Sequence, residues 1–547
     1  MRTSIRNWAL AVSAVAGLIL FWMFYYAPLL QGQDPEASTH KIDRAAAEEA
    51  AVRFVAARLG HDTALQSFGM YSAERVTFGY LYKEEAIQQF TELFRDRLPL
   101  ELYRVEVVEQ RSGARHTVDI NPYTGEPAEW NLQLQGGPLT EDELIRQADK
   151  WVEAQGWKEE ASFVLSDAET GQVLYDLTIP EIKGASVQAD LHIDSDGIRS
   201  SQIRWYAPED YTEEAGRQDT VASVLGVGGL ALSSALQLAA FIYAVRFNRN
   251  VSWRRGIALS VIFAVLYCAF NINMYPGIKA MVLTIAEGGD FAAAGNAEVQ
   301  TITAAGLISA LVMANMLTMV LAIGLYFSIV AGNEMCRRRG WNLWPPGSDS
   351  DYGNRAVSSM WKGYAFAFVM LGLQSVIFLG AEQTFGTWYT IDASTSSHNL
   401  LFPVLMPVLA WCAAISEEGV YRLFGIPALK AIFRFTTPAV IVTSMIWALG
   451  HVQYPIYPYY TRFVEVTILG LLFSYVFLKH GFMTAVFAHA VADTIWMGIS
   501  ITANHPSAMN WTFAAVYFVL PIVIAYAMAA FGRRRRPTEP IDGAAAP

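Results

Sequence analysis

Long apolar runs, separated by short polar connections, make up most of the 547-residue chain. The first run covers 8–30, and it lacks a small-residue cleavage site before the polar region, which predicts an uncleaved membrane anchor. Each run is close to the roughly 17–25 residues that a transmembrane helix needs. The pattern therefore predicts a mainly α, polytopic membrane protein with about ten transmembrane helices. The other nine runs lie near 221–245, 257–276, 300–331, 362–381, 399–416, 437–453, 463–478, 483–501 and 511–531.

One polar region, 34–220, interrupts this pattern and predicts an α+β insert. Two of its stretches have helical periodicity, and four alternate apolar and polar residues as strands do. Each helix precedes strands and a polar hairpin, which indicates two loosely repeated units, and the region resembles small PepSY-type extracytoplasmic modules. We expect a sensing, docking or inhibitory module with an extracytoplasmic ligand. The helical stretches are RAAAEEAAVRFVAARLG and EDELIRQADKWVEAQG, and the strands are YRVEVVEQ, HTVDI, VLYDLTI and ADLHID.

Charge separates the insert from the rest of the chain. Residues 34–220 hold 36 of the 50 acidic and 18 of the 39 basic residues, a local net charge of −18. The remainder is apolar and slightly basic, which agrees with a membrane body carrying one acidic, water-soluble domain. We expect the lipid bilayer as a partner and no nucleic acid. The three cysteines, Cys268, Cys336 and Cys412, indicate no disulfide framework and no cysteine-based metal site.

Basic residues predict the orientation in the membrane. With a cytoplasmic N-terminus, 18 of the 21 basic residues outside the insert face the cytoplasm, including the run 533–536. Lys279 and Arg462 then fall outside, and Arg422 lies within the membrane. This positive-inside bias predicts a multi-pass cell-membrane protein with both termini cytoplasmic and 34–220 extracytoplasmic.

The stretch SEEGVYR places three charges inside an apolar helix. Such a charge costs roughly 2.5–3.5 kcal/mol on insertion scales, so it marks a function or a buried pair. Glu418 and Arg422 are spaced i,i+4 and can pair, whereas Glu417 points about 100° away without a local partner. A salt-bridge network that only fixes helix packing is the structural alternative.

Two further polar stretches favour chemistry. In SMIWALGHVQYP, His451 lies one turn after Trp447, and in FMTAVFAHAVADTIW, His489 and Asp493 are again spaced i,i+4. Counted from the expected cytoplasmic surface, Glu417 and His451 both lie about 20 Å deep, and His489 lies about 14 Å deep. A carboxylate and two imidazoles from three helices, with Asp493 behind one imidazole, predict a site that activates water.

EEGVYR, WALGH and HAVAD, in this order and spacing, resemble the three motifs of the CPBP family of intramembrane proteases. This family includes the type II CAAX prenyl endopeptidases and bacteriocin-processing proteins. Its pattern is EExxxR, an aromatic residue three residues before a histidine, and HxxxN or HxxxD; the resemblance covers about 399–500. Phenylalanine is commoner in the family at the position of Trp447, and asparagine is frequent at that of Asp493.

The resemblance implies hydrolysis of a peptide bond in a membrane-embedded peptide or protein. Glu417 would be the general base, and His451 would orient or deprotonate the attacking water. His489 would stabilise the oxyanion, and Asp493 would orient His489. Glu418 and Arg422 would support these residues together with Trp447.

Two alternatives remain open. Glu417, His451 and His489 could instead hold zinc, with one position left for water, although the sequence lacks HExxH and a metal-free mechanism is favoured. A different class of protein is a non-catalytic membrane sensor or immunity protein, or a proton-coupled transporter that uses the same cluster. No inverted repeat of broken helices, a common sign of a transporter, is visible.

We therefore divide the chain into five parts. We expect the membrane body to fold without the insert, because no cysteine links the two. The parts are an N-terminal anchor (1–33), the acidic extracytoplasmic domain (34–220), transmembrane helices before the core (221–398), a CPBP-like catalytic core (399–500), and a last helix with a basic cytoplasmic tail (501–547).

Overall fold

The structure is a computed structural model, and it describes residues 2–30, 41–59, 64–134, 136–288 and 296–534. The predicted domain boundary at residue 34 and the end of the basic tail, Arg535 and Arg536, lie outside these residues. The chain begins with a long apolar helix, α1 (Arg2–Phe21), a π-helical segment (Trp22–Tyr26) and a short helix, α2 (Ala27–Leu30).

The polar region folds around one eight-stranded antiparallel sheet, and we call residues 41–206 the sheet domain. Its strands are β1 (Leu65–Ala73), β2 (Glu101–Glu109), β3 (Arg115–Ile120), β4 (Pro127–Asn131), β5 (Ala161–Asp167), β6 (Gln172–Leu177), β7 (Ser186–Asp194) and β8 (Gly197–Tyr206). Its helices are α3 (Arg44–Leu59), α4 (Arg75–Lys83), α5 (Ile87–Phe94) and α6 (Glu141–Ala154).

The sheet consists of two halves. The order of one helix and then four strands occurs twice, as α3 with β1–β4 and as α6 with β5–β8, and α4 and α5 are inserted between β1 and β2. The strand order β1-β2-β3-β4-β8-β7-β6-β5 joins the halves through their last strands, where Trp130 pairs with Ser201. The predicted α+β insert is thus a separate antiparallel sheet region, and its likeness to PepSY modules stays a prediction.

Local sequence explains both long helices of the sheet domain. Helix α3 buries a stripe of small and branched residues, Ala47, Ala51 and Val55, against the sheet core. Helix α6 begins with a capping box, in which the Thr140 backbone N–H donates to the Glu143 carboxylate. This bond satisfies one of the N–H groups that a helix start leaves unpaired.

The rest of the chain is helical. It adds a two-stranded ribbon formed by β9 (Trp388–Tyr389) and β10 (Ile456–Tyr457). Its helices are α7 (Glu209–Arg246), α8 (Ile257–Asn273), α9 (Tyr275–Gly288), α10 (Asn296–Arg338), α11 (Tyr352–Phe385), α12 (Val408–Glu417), a π-helical segment (Glu418–Gly425), α13 (Ile426–Phe433), α14 (Thr436–Leu449), α15 (Tyr459–His480), α16 (Phe482–Asn504) and α17 (Ala508–Arg534).

Among the described residues, eight helices are long and apolar enough to span a membrane, or nine if the bent pair α8 and α9 forms one span. The run predicted at 437–453 is the shorter helix α14, of 14 residues. These lengths are those of a multi-pass membrane protein, and the count of ten stays a prediction.

The sheet domain docks on loops of the helical body. The side chain of Asn399 accepts from Tyr71 N–H at 2.8 Å and donates to the Tyr71 and Ala393 carbonyls at 2.7 Å each. The Tyr103 hydroxyl lies 2.9 Å from His398 Nδ1. We call Tyr71, Tyr103, His398 and Asn399 the docking interface. It joins the helical body to the first half of the sheet.

Candidate active site

The SEEGVYR stretch lies where the α-helical turn of α12 changes to a π-helical turn. Glu417 ends α12, and Glu418 begins the wider segment that runs to Gly425. The sequence predicted an apolar helix here, with Glu418 and Arg422 spaced i,i+4. At Gly419, an added Cβ would lie 2.6 Å from Leu325 of α10, so the absence of a side chain allows the widened turn to pack closely. Single π-helical turns are rare and are often found at functional sites.

Glu418 and Arg422 form the predicted ion pair, and both are buried. Arg422 Nη1 donates to Glu418 Oε1 at 3.1 Å. Their side chains are 0% and 1% exposed. The guanidinium also lies 4.2 Å from the ring centre of Trp447 and 5.1 Å from that of Phe473. A buried cation is therefore held by one carboxylate and two aromatic faces.

His489 joins this pair from a different helix. Gly481, with φ +91°, separates α15 from α16, and His489 lies two turns into α16. Its Nδ1 lies 3.0 Å from Glu418 Oε1. Its Nε2 lies 3.4 Å from Asp493 Oδ2 and 3.7 Å from Glu417 Oε2. Both ring nitrogens thus face carboxylate oxygens, and the shortest contact is to Glu418 rather than to the predicted partner, Asp493.

Glu417 points to a different side of the helix from Glu418. Its side chain is 22% exposed, and it lines a cavity instead of the packed interior. The indole Nε1 of Trp447 donates to Glu417 Oε2 at 2.5 Å. The partner that the sequence did not reveal is therefore an aromatic residue of α14.

His451 lies just after the end of α14, and its proton position follows from its bonding. Nδ1 lies 2.9 Å from the backbone carbonyl oxygen of Trp447. Because a carbonyl can only accept, Nδ1 carries a hydrogen, and in the neutral ring Nε2 is left to accept a proton. The His451 ring packs between Trp447 and Tyr454. The planes of the His451 and Tyr454 rings are nearly parallel, with an angle of 8° between them. Trp447 consequently contacts Glu417, Arg422 and His451.

Glu417, His451, His489 and Asp493 all line one cavity of about 1020 Å³, which we call the central cavity. Its walls come from the N-terminal segment, the sheet domain through Tyr71 and Tyr82, the loops around 387–398, and helices α11, α15 and α16. The volume is at the upper end of that of ordinary small-molecule pockets, which is enough for several residues of a peptide.

One polar chain of the cavity wall was not found from the sequence. Arg462 Nη1 donates to Glu465 at 2.6 Å, Gln374 Nε2 donates to Glu465 at 2.8 Å, and Trp496 Nε1 donates to Gln374 at 2.9 Å. The i,i+3 spacing of Arg462 and Glu465 in an apolar helix is a signal that could have revealed the first pair.

The zinc alternative requires ligand atoms from Glu417, His451 and His489. In the part of the chain that the structure describes, no three His, Cys, Asp or Glu side chains are grouped to hold a metal ion. Both nitrogens of His489 face carboxylates, and Nδ1 of His451 is bonded to a carbonyl. A metal-bound histidine usually donates its other ring N–H to a carbonyl or a carboxylate, so these contacts agree with either alternative, and the metal-free mechanism stays a prediction.

The part of the chain that contains this site is similar to a known protein family. Residues 399–495 match the family model described as type II CAAX prenyl endopeptidase Rce1-like. This segment is similar to Rce1-like endopeptidases. The Rce1-like segment contains the SEEGVYR stretch, His451, His489 and Asp493, so the resemblance that the three motifs indicated is confirmed for this part of the chain.

The region that is similar to one curated relative is longer than the Rce1-like segment. The sporulation-killing factor biosynthesis protein SkfC of Bacillus subtilis (strain 168) is 22% identical over 283 residues, which are 51% of this chain and 52% of that protein. The match thus spans about half the length of this relative. No solved structure matches the chain.

Proposed function

We propose that the protein is an intramembrane endopeptidase that hydrolyses a peptide bond of a membrane-associated peptide or protein. The observation that carries the proposal is that Glu417 and His489, on helices of membrane-spanning character, line one cavity together with His451, which lies just after α14. The similarity of residues 399–495 to prenyl endopeptidases supports it independently. The name of SkfC refers to biosynthesis, so processing of a peptide during its biosynthesis is a role that fits.

In the proposed reaction, water is activated between Glu417 and His451. Glu417 takes one proton of the water, and His451 Nε2 accepts a hydrogen bond from the other, which fixes the direction of attack. The water oxygen bonds to the scissile carbonyl carbon, and the carbonyl oxygen becomes an oxyanion. His489 donates to this oxyanion. Glu417 then returns its proton to the amide nitrogen, the C–N bond breaks, and an acid and an amine leave the site.

The remaining residues position these three. Trp447 Nε1 holds Glu417 from the side of α14, and the Trp447 carbonyl holds His451. Glu418 holds His489 at Nδ1 and is itself held by Arg422. A reacting carboxylate facing the cavity is therefore backed by a buried ion pair.

The test is cleavage of a membrane-embedded reporter in reconstituted vesicles. Glu417→Gln and His451→Ala should each lower cleavage by roughly 10²–10⁴-fold, the usual contribution of general acid–base catalysis, with little change in thermal stability. Glu382→Gln is the matched control, because Glu382 lines the same cavity and is exposed. If Glu417→Gln cleaves as fast as the unchanged protein, the endopeptidase proposal is wrong, and a sensor or a proton-coupled transporter becomes the better explanation. A chelator arm decides metal dependence, since loss of cleavage restored by zinc would contradict the metal-free mechanism.

We also propose that the sheet domain faces outward and both termini face the cytoplasm. Lys279, which the predicted topology places outside, forms an ion pair with Glu106 of the sheet domain, so the two share one face of the protein. A Ser166→Cys variant should react with an impermeant thiol reagent added outside intact cells. Labelling only after the cytoplasmic side is opened to the reagent would contradict this orientation.

A further inference from the structure

The N-terminal helix lies outside the Rce1-like segment, yet it forms part of the wall of the central cavity. It is packed along α11 with the two backbones in contact: a Cβ added to Gly372 would lie 2.4 Å from Gly17 Cα, and one added to Gly17 would lie 2.2 Å from the Phe368 carbonyl oxygen. Beyond this contact, the π-helical segment turns Met23, Phe24 and Tyr25 toward the cavity. The helix is therefore fixed at its middle and contributes side chains at its outer end.

A second cavity, of about 430 Å³, lies on the other side of the same segment, between α1 and α16. We call it the lipid groove. Both helices have membrane-spanning character, and the groove is lined by apolar or aromatic side chains, so hydrocarbon is the medium that it faces. The lining residues are Leu18, Ile19, Phe21, Trp22, Tyr26 and Ile499.

Three aromatic rings stand between the lipid groove and the central cavity. Trp496 of α16 makes edge contacts with Tyr25, at 4.3 Å between ring centres, and with Phe21, at 5.4 Å. We call Phe21, Tyr25 and Trp496 the ring layer. Trp496 also lines the central cavity, and Phe21 also lines the groove, so the layer has one face in each.

Both sides of the ring layer are held by contacts within the protein. The Trp496 indole donates to Gln374, which in turn donates to Glu465, so the α16 side is fixed by a chain of hydrogen bonds. On the α1 side, Phe21 and Tyr25 stack on each other at 5.4 Å, beyond the close contact at Gly17. Separation of the layer therefore requires Tyr25 and Trp496 to move apart.

We propose that the lipid groove docks an apolar transmembrane segment of the substrate, and that the adjoining scissile bond enters the central cavity sideways between Tyr25 and Trp496. This inference rests on the proposed endopeptidase activity and names its substrate class, a peptide with a bilayer-embedded apolar segment. Continuity of groove and cavity through one layer of rings selects this occupant. A water-soluble peptide has no reason to pass through a groove that faces hydrocarbon.

The experiment measures entry instead of cleavage, in the Glu417→Gln variant. The probe is a synthetic transmembrane peptide with a photoreactive residue at the border of its apolar segment, reconstituted in phosphatidylcholine vesicles. Tyr25→Cys and Trp496→Cys are joined by a reducible bis-thiosulfonate linker in a Cys268→Ser background, since Cys336 and Cys412 are buried. We expect labelling of residues 399–504 to fall at least tenfold when the linker is in place and to return after reduction.

Two controls separate closure of the entrance from damage to the site. A disulfide between Gly498→Cys and Ala514→Cys ties α16 to α17 on another face, where the two Cβ atoms would be 3.6 Å apart, and should leave labelling unchanged. A short photoreactive peptide without an apolar segment should label the cavity equally with and without the linker between positions 25 and 496. Equal labelling by the transmembrane peptide in the linked and reduced protein would overturn the inference.

A second variant avoids the ring layer altogether. Ile499→Trp fills the lipid groove from α16 and should lower labelling by the transmembrane peptide several-fold, while Val523→Trp, on another lipid-facing surface, should not. Normal labelling of Ile499→Trp would also count against the groove. Because labelling needs no peptide-bond hydrolysis, a failure of the endopeptidase proposal would appear in the reporter assay and not here.

Discussion

The charged cluster around Glu418 and the docking interface are both polar and buried, and each has buried polar atoms without a hydrogen-bond partner. They differ in charge, because in the interface the unpartnered atom is a ring nitrogen, His398 Nε2. In the cluster, Glu418 Oε2 and Arg422 Nη2 are buried without a hydrogen-bond partner. In the docking interface, the neutral Asn399 side chain forms three hydrogen bonds, two of them to Tyr71. The first arrangement is expensive and includes residues of the proposed reaction, whereas the second joins two parts of the fold with neutral groups.

Buried charges and buried neutral groups have different free-energy costs, and this difference helps to locate function in the chain. Burying a charge costs several kcal/mol per ion, and this cost is only partly recovered by pairing. A neutral amide that satisfies its bonds adds roughly 0.5–1.5 kcal/mol per bond without leaving a charge in a dry site. We therefore expect the charges in the membrane helices to serve chemistry instead of helix packing, and the following predictions test this contrast.

The largest effect is expected from Arg422→Met. It leaves Glu418 buried without its cation, so the free energy of unfolding should fall by roughly 3–5 kcal/mol, together with cleavage. Denaturant unfolding in detergent measures the change. The double variant Glu418→Gln/Arg422→Met should recover part of the stability, because neither charge then remains unpaired. If the double variant instead has a lower free energy of unfolding than Arg422→Met, the unpaired charge of Glu418 does not explain the loss of stability.

Asn399→Ala should have the next largest effect. It leaves the Tyr71 N–H and carbonyl groups without their partner, which should cost roughly 1–3 kcal/mol of docking free energy. Hydrogen exchange at β1 measures the loss, since the sheet domain should open from the helical body more often. Asn131→Ala, an exposed position on β4, is the matched control and should change exchange little. Unchanged exchange in Asn399→Ala would mean that the docking interface is held elsewhere.

Docking should also weaken at acidic pH. Burial lowers the pKa of His398 well below its ordinary value of 6.5, and the nearby His505 and Lys41 lower it further. Burial likewise lowers the pKa of His505. As the pH falls, the two histidines take up protons in the undocked state before they do so in the docked state. The docked state is therefore fully stabilised above about pH 6.5, and this stabilisation is lost as the pH falls below that value. The loss is at most ~1.4 kcal/mol per histidine and pH unit.

Hydrogen exchange at β1, compared at pH 7.5 and pH 5.5, measures this dependence after correction for the intrinsic exchange rate. Tyr103, which lies 2.9 Å from His398 Nδ1, stays neutral over this range, so it does not confuse the result. The variant His398→Gln should show a smaller difference between the two pH values. An equal difference in the variant would remove His398 from the explanation.

The smallest effect is expected from Asp493→Asn. Asp493 is 30% exposed and lies 3.4 Å from His489 Nε2, whereas the buried Glu418 lies 3.0 Å from Nδ1. The amide oxygen can still accept from His489, so kcat/KM for the reporter should fall less than about tenfold, or ~1.4 kcal/mol. Glu418→Gln should cost clearly more. The reverse order would mean that Asp493, as the sequence suggested, is the main partner of His489.

The structure also bears on whether the membrane body can fold alone. The sequence predicted that it could, because no cysteine links it to the sheet domain. However, Trp388 and Tyr457 of the two-stranded ribbon and the nearby Ile391 belong to the same apolar core as the sheet domain. Removing 34–220 would expose these residues together with Asn399, so independent folding stays a prediction that the deletion protein can test.

The local features of the structure, which depend on short spacings along the chain, could be predicted from the sequence. Apolar run length indicated the membrane helices, alternation indicated four of the eight strands, and the i,i+4 spacing of Glu418 and Arg422 indicated their pair. Strands such as β1 and β5 were not recognised, because their apolar and polar residues do not alternate regularly. Within one helix or strand, the backbone geometry fixes which side chains are neighbours, so spacing is sufficient.

Only the tertiary structure decided which distant residues meet. The contact of His489 with Glu418 spans 71 positions, and that of Asn399 with Tyr71 spans 328. The bond from Trp447 to Glu417, the wall that the segment after α1 adds to the central cavity and the π-helical turn after Glu417 were equally unforeseen. These features depend on how helices pack against each other, and that packing is set by the summed contacts of whole surfaces, which no local spacing encodes.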